Sequence, residues 1–406
     1  MALHVLEKLA ATNPDCEVWW DSSPLVYESW KAAVLAKAPV DKRTEWSAQL
    51  SRLFNAHDVR DRGVMGFGGA TTNPPLSLQA IQNDPAFWTG EIRRIAAQNP
   101  GADVEQVYWL TYLETARRGA EMILPVYQAT AGRHGFVSGQ VDPRFVSDHG
   151  RMLAQGLQLA ALAPNLMVKI PGSAEGYLVI EELTARGIST NNTTSFTVPQ
   201  YIACMGAVTR GLDRARAAGI DLSRWRSVIT HMSARLGNAG DLGAQAELRG
   251  ITLSPDDIID GEMAVMKRAY HHGKQTGHPS KMLQCSMRVV EAGPGGAAHS
   301  RHIADLAGGD IVYTCPPGYI AQLMAVEDRL PAFDAEAINR TPSPEVITKL
   351  RQLPYFRQAY DFDGMQPEEF SQFGAFATTA AEFAAATRKT VDFVARALEG
   401  ECVQAA

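Results

Sequence analysis

Cysteine is scarce: five residues in 406 (Cys16, Cys204, Cys285, Cys315 and Cys402), an odd number with no CxxC spacing. That points away from a disulfide framework and toward a reduced, cytoplasmic protein. No apolar run is long enough to span a bilayer. The opening residues Met1-Ala2-Leu3-His4-Val5-Leu6-Glu7-Lys8 read as an amphipathic helix start without the apolar core of a signal peptide. Positive charge is neither abundant nor clustered. The 38 Lys and Arg against 44 Asp and Glu give a net charge of −6, so neither a nucleic-acid surface nor a membrane anchor is expected. A dinucleotide fingerprint is also missing. The glycines of the stretch from Val64 to Pro75 have the wrong spacing, and Pro74-Pro75 stands where a helix should begin. His271, His272, His278, His299 and His302 lack the carboxylate pattern of zinc enzymes, so no metal is expected. Linkers, repeats and low-complexity segments are absent, which leaves one domain over residues 1–406.

What the sequence does contain is alternation of short apolar strands with helical stretches. Strands are predicted at Cys16–Asp21, Val64–Thr72, Gly135–Asp142, Asn165–Pro171, Ile188–Thr194, Arg226–His231, Met282–Ser286 and Asp310–Cys315. Two helical stretches, about Leu78–Gln98 and Val104–Ala131, lie between the second and third strands. Ser254-Pro255-Asp256-Asp257 is a capping box, and behind it Ile259, Met263, Met266 and Tyr270 form a core stripe. Roughly eight strands alternating with helices argue for an α/β fold, a single closed parallel (β/α)8 TIM barrel with additional helices. The tail, about 331–406, is helical and proline-broken, and is expected to pack on the barrel.

The stretch Asn165-Leu166-Met167-Val168-Lys169-Ile170-Pro171 buries a lysine in a strand. Burial disfavours an ammonium and lowers its pKa from about 10.4. A neutral amine in a dry pocket is a nucleophile toward carbonyls and forms Schiff bases. In a (β/α)8 barrel, reactive groups stand at the C-terminal strand ends. There the strands deliver Asp21, Asn73, Gln140, Lys169, Asn192 with Thr194, Thr230, and Ser286 with Arg288.

These motifs resemble the transaldolase family of Schiff-base aldolases. Ala70-Thr71-Thr72-Asn73-Pro74, Met167-Val168-Lys169-Ile170-Pro171 with Glu175-Gly176, and Gly187-Ile188 through Asn192-Thr193-Thr194-Ser195-Phe196 carry the likeness, in order. The resemblance implies a cofactor-free TIM-barrel transferase of carbohydrate metabolism, acting on sugar phosphates. In it Lys169 forms the imine, Asp21 moves a proton during carbon–carbon cleavage, and Thr194 positions the catalytic water. Asn73, Asn192 and Thr230 hold hydroxyls, while Arg235, Ser286 and Arg288 bind phosphate. Gln140 stands where the transaldolase pattern has a glutamate acid/base. Fructose-6-phosphate aldolases also carry glutamine there but pair it with a sixth-strand tyrosine, which Thr230-His231-Met232 lacks. His231 titrates near neutrality in principle, but its strand parity opposes that of Thr230. Three readings follow: a transaldolase-like transferase, a class I aldolase with the same lysine, and a sugar-phosphate-binding barrel without catalysis.

Overall fold

The computed structural model describes residues 2–55, 66–293 and 295–400. Eight parallel strands close into a barrel: β1 (Glu17–Trp20), β2 (Gly69–Thr71), β3 (Phe136–Gln140), β4 (Leu166–Pro171), β5 (Thr190–Thr193), β6 (Ser227–Met232), β7 (Lys281–Cys285) and β8 (Ile311–Cys315). Neighbours follow chain order, and β8 closes on β1 through the register Glu17 to Val312 and Trp20 to Cys315. Val64 and Met65, assigned by sequence to the second strand, lie outside the described residues, as does Cys402. A two-residue pairing of Val290–Glu291 with Ala298–His299 is separate from the barrel.

The turns that leave the strands double as helix caps, and one of the capping residues, Asn73, also lines the cavity at the mouth. Asn73 caps helix Pro74–Asn83, Ser173 caps Ala174–Thr184, and Thr197 caps Val198–Ala217, each accepting a backbone N–H. The capping box at Ser254 opens Pro255–Gln275, whose stripe of Ile259, Met263, Met266 and Tyr270 is buried. The stretch expected as one helix from Leu78 to Gln98 is two. Pro85 interrupts the backbone ladder, and Asp84 caps the second helix, Pro85–Gln98.

The tail contributes helices Pro344–Leu350 and Pro354–Tyr360 and ends in the long helix Gly374–Leu398. That last helix packs on Pro74–Asn83, Pro85–Gln98 and Val104–Ala129, and touches Ser233–Asn238. All but one of these neighbours lie between β2 and β3, and the fourth follows β6. Phe383 of this last helix shares a cavity with Lys169, which puts the tail at the mouth of the barrel rather than at its bottom.

The bottom is closed by an ionic cluster. Glu17 is buried and forms ion pairs with Arg226 and Lys281, the latter at 2.9 Å. It also accepts from Trp19 Nε1 at 3.0 Å and faces His134 Nδ1 at 3.2 Å. Gly69 is required above this cluster, because a Cβ there would stand 2.7 Å from Phe136 O and 2.8 Å from the Trp19 ring. Burial alone would raise the Glu17 pKa. Arg226, the His134 hydrogen bond and Lys281 outweigh it and hold the carboxyl well below its usual range. A depressed carboxyl pKa contributes stability above the unfolded value of about 4.3 and loses it as pH falls through the folded value. Glu17→Ala should therefore cost about 3 kcal/mol near neutrality, the lower end for breaking a buried pair. The acid limb of its stability curve should flatten relative to wild type. Denaturant melts from pH 7 downward measure both, and an unchanged acid limb would remove Glu17 from the account.

Candidate active site

Strand parity decides which side chains enter the barrel. Gln140 is level with Lys169, and Lys169 is level with Asn191, so these three share the inner face. Lys169 is 5% exposed, and its Nζ donates to the Thr72 carbonyl at 3.0 Å. Burial lowers its pKa, and nearby Asp21 opposes that shift in part. Asp21 follows β1, its backbone N–H held by Cys315 O at 3.0 Å. Thr71 Oγ1 donates to Asp21 Oδ1 at 2.6 Å. Burial raises the Asp21 pKa, against the pull of Lys169 and of the Thr71 hydrogen bond. A carboxyl pushed toward neutrality and an amine pulled toward it form the pairing that proton transfer requires.

These groups line a cavity of about 160 Å³ with Asn73, Thr193, Thr230, Arg235, Ser286, Thr314 and, from the tail, Phe383. Asn73 uses its Oδ1 to cap the helix at Leu76 N, 2.9 Å away, which leaves its NH2 group to offer. Thr230 Oγ1 donates to Asn191 Oδ1 at 2.7 Å, and Asn191 Nδ2 donates to Ser138 Oγ at 2.8 Å. This chain crosses the barrel beside the lysine. Ser286 occupies the left-handed backbone region at φ 58°, a strained conformation that turns the chain sharply at the end of β7. Cys285 lines the same cavity with its thiol pushed up to about 12 by burial, an inert protonated form.

Three sequence assignments find other positions. On β5 the inner face carries Asn191 and Thr193, whereas Asn192 faces out. Its Nδ2 reaches Ile170 O at 3.3 Å, and its Oδ1 accepts from Ser195 Oγ. Thr194, at φ 51°, donates back to Thr193 O at 2.7 Å and accepts from Gly172 N at 3.3 Å. Arg288 leaves the mouth for the helix layer, where Nη2 donates to the fully buried Glu262 Oε2 at 2.6 Å. His302 Nε2 meets the same carboxylate at 2.8 Å. His231 points outward and is buried, its Nε2 has no hydrogen-bond partner among the described residues, and burial lowers its pKa to about 3. It stays neutral across the physiological range.

Gln140 is buried, neither of its amide atoms finds a hydrogen-bond partner among the described residues, and its backbone N–H donates to Tyr112 Oη at 2.7 Å. Tyr112 comes from helix Val104–Ala129, and burial keeps its phenol protonated. The phenol also reaches the Thr72 side chain, and the Thr72 carbonyl holds Lys169. No sequence pattern singled out Tyr112, because it sits in a helix whose other tyrosines and tryptophan are packing residues. Among the described residues no three His, Cys, Asp or Glu side chains converge as a metal site would require. A wider surface cleft of about 980 Å³ is lined by Tyr108, Trp109, Arg144 and Arg151 and holds none of the residues around Lys169. Its Arg144 is committed to Glu105 and Asp142.

A parallel (β/α)8 barrel with a buried lysine beside a carboxyl at its mouth defines a class of lysine-centred barrel. Residues 62–369 match the family model described as transaldolase/fructose-6-phosphate aldolase. The chain belongs to that family. It is 33% identical over 202 residues to a transaldolase of Thiobacillus denitrificans, covering 49% of this chain and 54% of that protein. It is 38% identical over 180 residues to a transaldolase of Thermobifida fusca, covering 44% and 47%. It is 37% identical over 188 residues to "Transaldolase 1" of Streptomyces avermitilis, covering 44% and 49%. The chain thus spans about half the length of the curated relatives it matches. No helix among the described residues is long and apolar enough to cross a membrane.

Proposed function

We propose that this protein transfers a three-carbon dihydroxyacetone unit from a ketose phosphate to an aldose phosphate through a Schiff base on Lys169. The observation that carries this reading is the buried Lys169 amine beside Asp21 in a cavity lined by both polar and apolar side chains. The neutral amine adds to the ketone carbon, and water leaves to give the iminium. The C3–C4 bond then breaks, its electron pair moving onto the iminium to form an enamine. Asp21 takes the C4 hydroxyl proton, and the aldehyde fragment departs. The enamine attacks an acceptor aldehyde, whose oxygen takes the proton back from Asp21 as the iminium re-forms, and water adds to the iminium carbon to release the new ketose and the free amine. Asn73, Asn191 and Thr230 face the hydroxyls, Thr193 the water, and Arg235 with Ser286 the phosphate. Small-molecule sugar phosphates are the partners this site suits. The test is borohydride reduction in the presence of a ketose phosphate. The adduct should map to Lys169, and its absence with every ketose tried would favour a barrel that only binds sugar phosphates.

The unpartnered Gln140 amide favours a second reading, an aldolase that releases the ketone to water. An amide positions water but carries no proton at neutral pH. Gln140→Glu should place a proton carrier level with Lys169 and raise transfer between sugar phosphates on the order of a hundredfold. The carboxylate also stabilises the ammonium of Lys169 and so shifts the pH dependence of imine formation upward. Single-turnover imine formation against pH measures both, and a rate at or below wild type at every pH rules out a missing base.

A further inference from the structure

Among the described residues Arg235 is the one guanidinium lining the Lys169 cavity. It is already engaged. Nη1 lies 2.7 Å from Glu382 Oε2 and donates to Thr379 Oγ1 at 3.1 Å. Both acceptors stand on the tail helix Gly374–Leu398, and the residue after Glu382, Phe383, lines the same cavity. Thr379 and Phe383 are buried on one face of that helix, four residues apart. Glu382 is different: half of its side chain is exposed, so packing does not require it. Arg288 cannot take over, because the buried Glu262 holds it in the helix layer.

A carboxylate on a guanidinium uses the same donors that a phosphate would, through the same charge-assisted geometry. We propose that Glu382 is a specificity-determining residue: it occupies the anion position on Arg235, and a phosphate-bearing substrate binds there by displacing it. The inference rests on the reading of Arg235 as the phosphate-binding cation of the proposed transferase. The internal carboxylate lowers the apparent affinity for an anion by the fraction of time it holds the arginine. It costs an uncharged substrate nothing in this currency. Glu382 thereby narrows the advantage of phosphorylated over unphosphorylated substrates, and its removal widens it.

The experiment titrates inorganic phosphate into the full chain by calorimetry, for wild type, Glu382→Gln, Arg235→Gln and the double variant. Glu382→Gln should tighten phosphate binding about two- to fivefold, the range of a half-exposed ion pair. The gain should vanish in the Arg235→Gln background, which isolates the pair. The ratio of kcat/KM for a phosphorylated against an unphosphorylated acceptor should rise by the same factor. Unchanged phosphate affinity in Glu382→Gln, a gain that persists without Arg235, or no phosphate binding by any variant would each overturn the proposal. Borohydride trapping with unphosphorylated dihydroxyacetone on the same proteins separates the two layers. Trapping at Lys169 without a phosphate response overturns the role of Glu382 and leaves the Schiff base standing. A phosphate response without trapping does the reverse.

Discussion

Lys169→Ala should lose covalent capture of any ketose and reduce turnover on the order of a millionfold, the scale of removing a nucleophile from a covalent mechanism. Lys169→Arg should do no better, because a guanidinium keeps the charge but supplies no free amine at accessible pH. In the wild type, single-turnover capture should rise with pH as the ammonium loses its proton. The midpoint should fall below the ordinary lysine value of about 10.4, since burial lowers the Lys169 pKa. Mass mapping of the borohydride adduct across a pH series reads position and midpoint together. An adduct on another lysine, or a midpoint at the ordinary value, would refute the assignment.

Asp21→Asn should separate the two halves of the chemistry. The asparagine keeps the shape and still accepts from Thr71, but it cannot take a proton. Cleavage of the carbon–carbon bond should fall by about a hundredfold to ten-thousandfold, the usual weight of a general base. Capture by Lys169 should survive. Its midpoint should move to lower pH, because the Asp21 charge is what opposes the effect of burial on the lysine. Rapid-quench cleavage rates beside the capture titration give the comparison. Loss of capture together with cleavage would make Asp21 a residue that holds Lys169 in place and not a base.

The barrel was legible where hydrophobic alternation was unambiguous. Leu166, Val168 and Ile170 point one way and Lys169 the other, so one reading of that strand was possible. On β5 the run Asn191-Asn192-Thr193-Thr194 is polar on both faces, and alternation carries no information about which face is inside. The inner face is settled by pairing with β4, where Lys169 is level with Asn191, and that register is a tertiary fact. Arg288 illustrates a second limit. Three residues past the end of β7 is close enough to reach the mouth, but Glu262, which captures it, stands on a helix 26 positions earlier. Tyr112 and Phe383 were beyond reach for the same reason. Each is an unremarkable helical residue until the fold brings it to Lys169 or to the cavity.

With Arg226, Lys281, His134 and Trp19 gathered around Glu17, the lower end of the barrel is tied together, and the Lys169 chamber lies toward the other end of the strands, against Phe383 of the tail. On the proposed reading, the aldehyde cleaved from the first sugar leaves this chamber before the acceptor enters, so the two aldehydes take turns at one place beside Lys169.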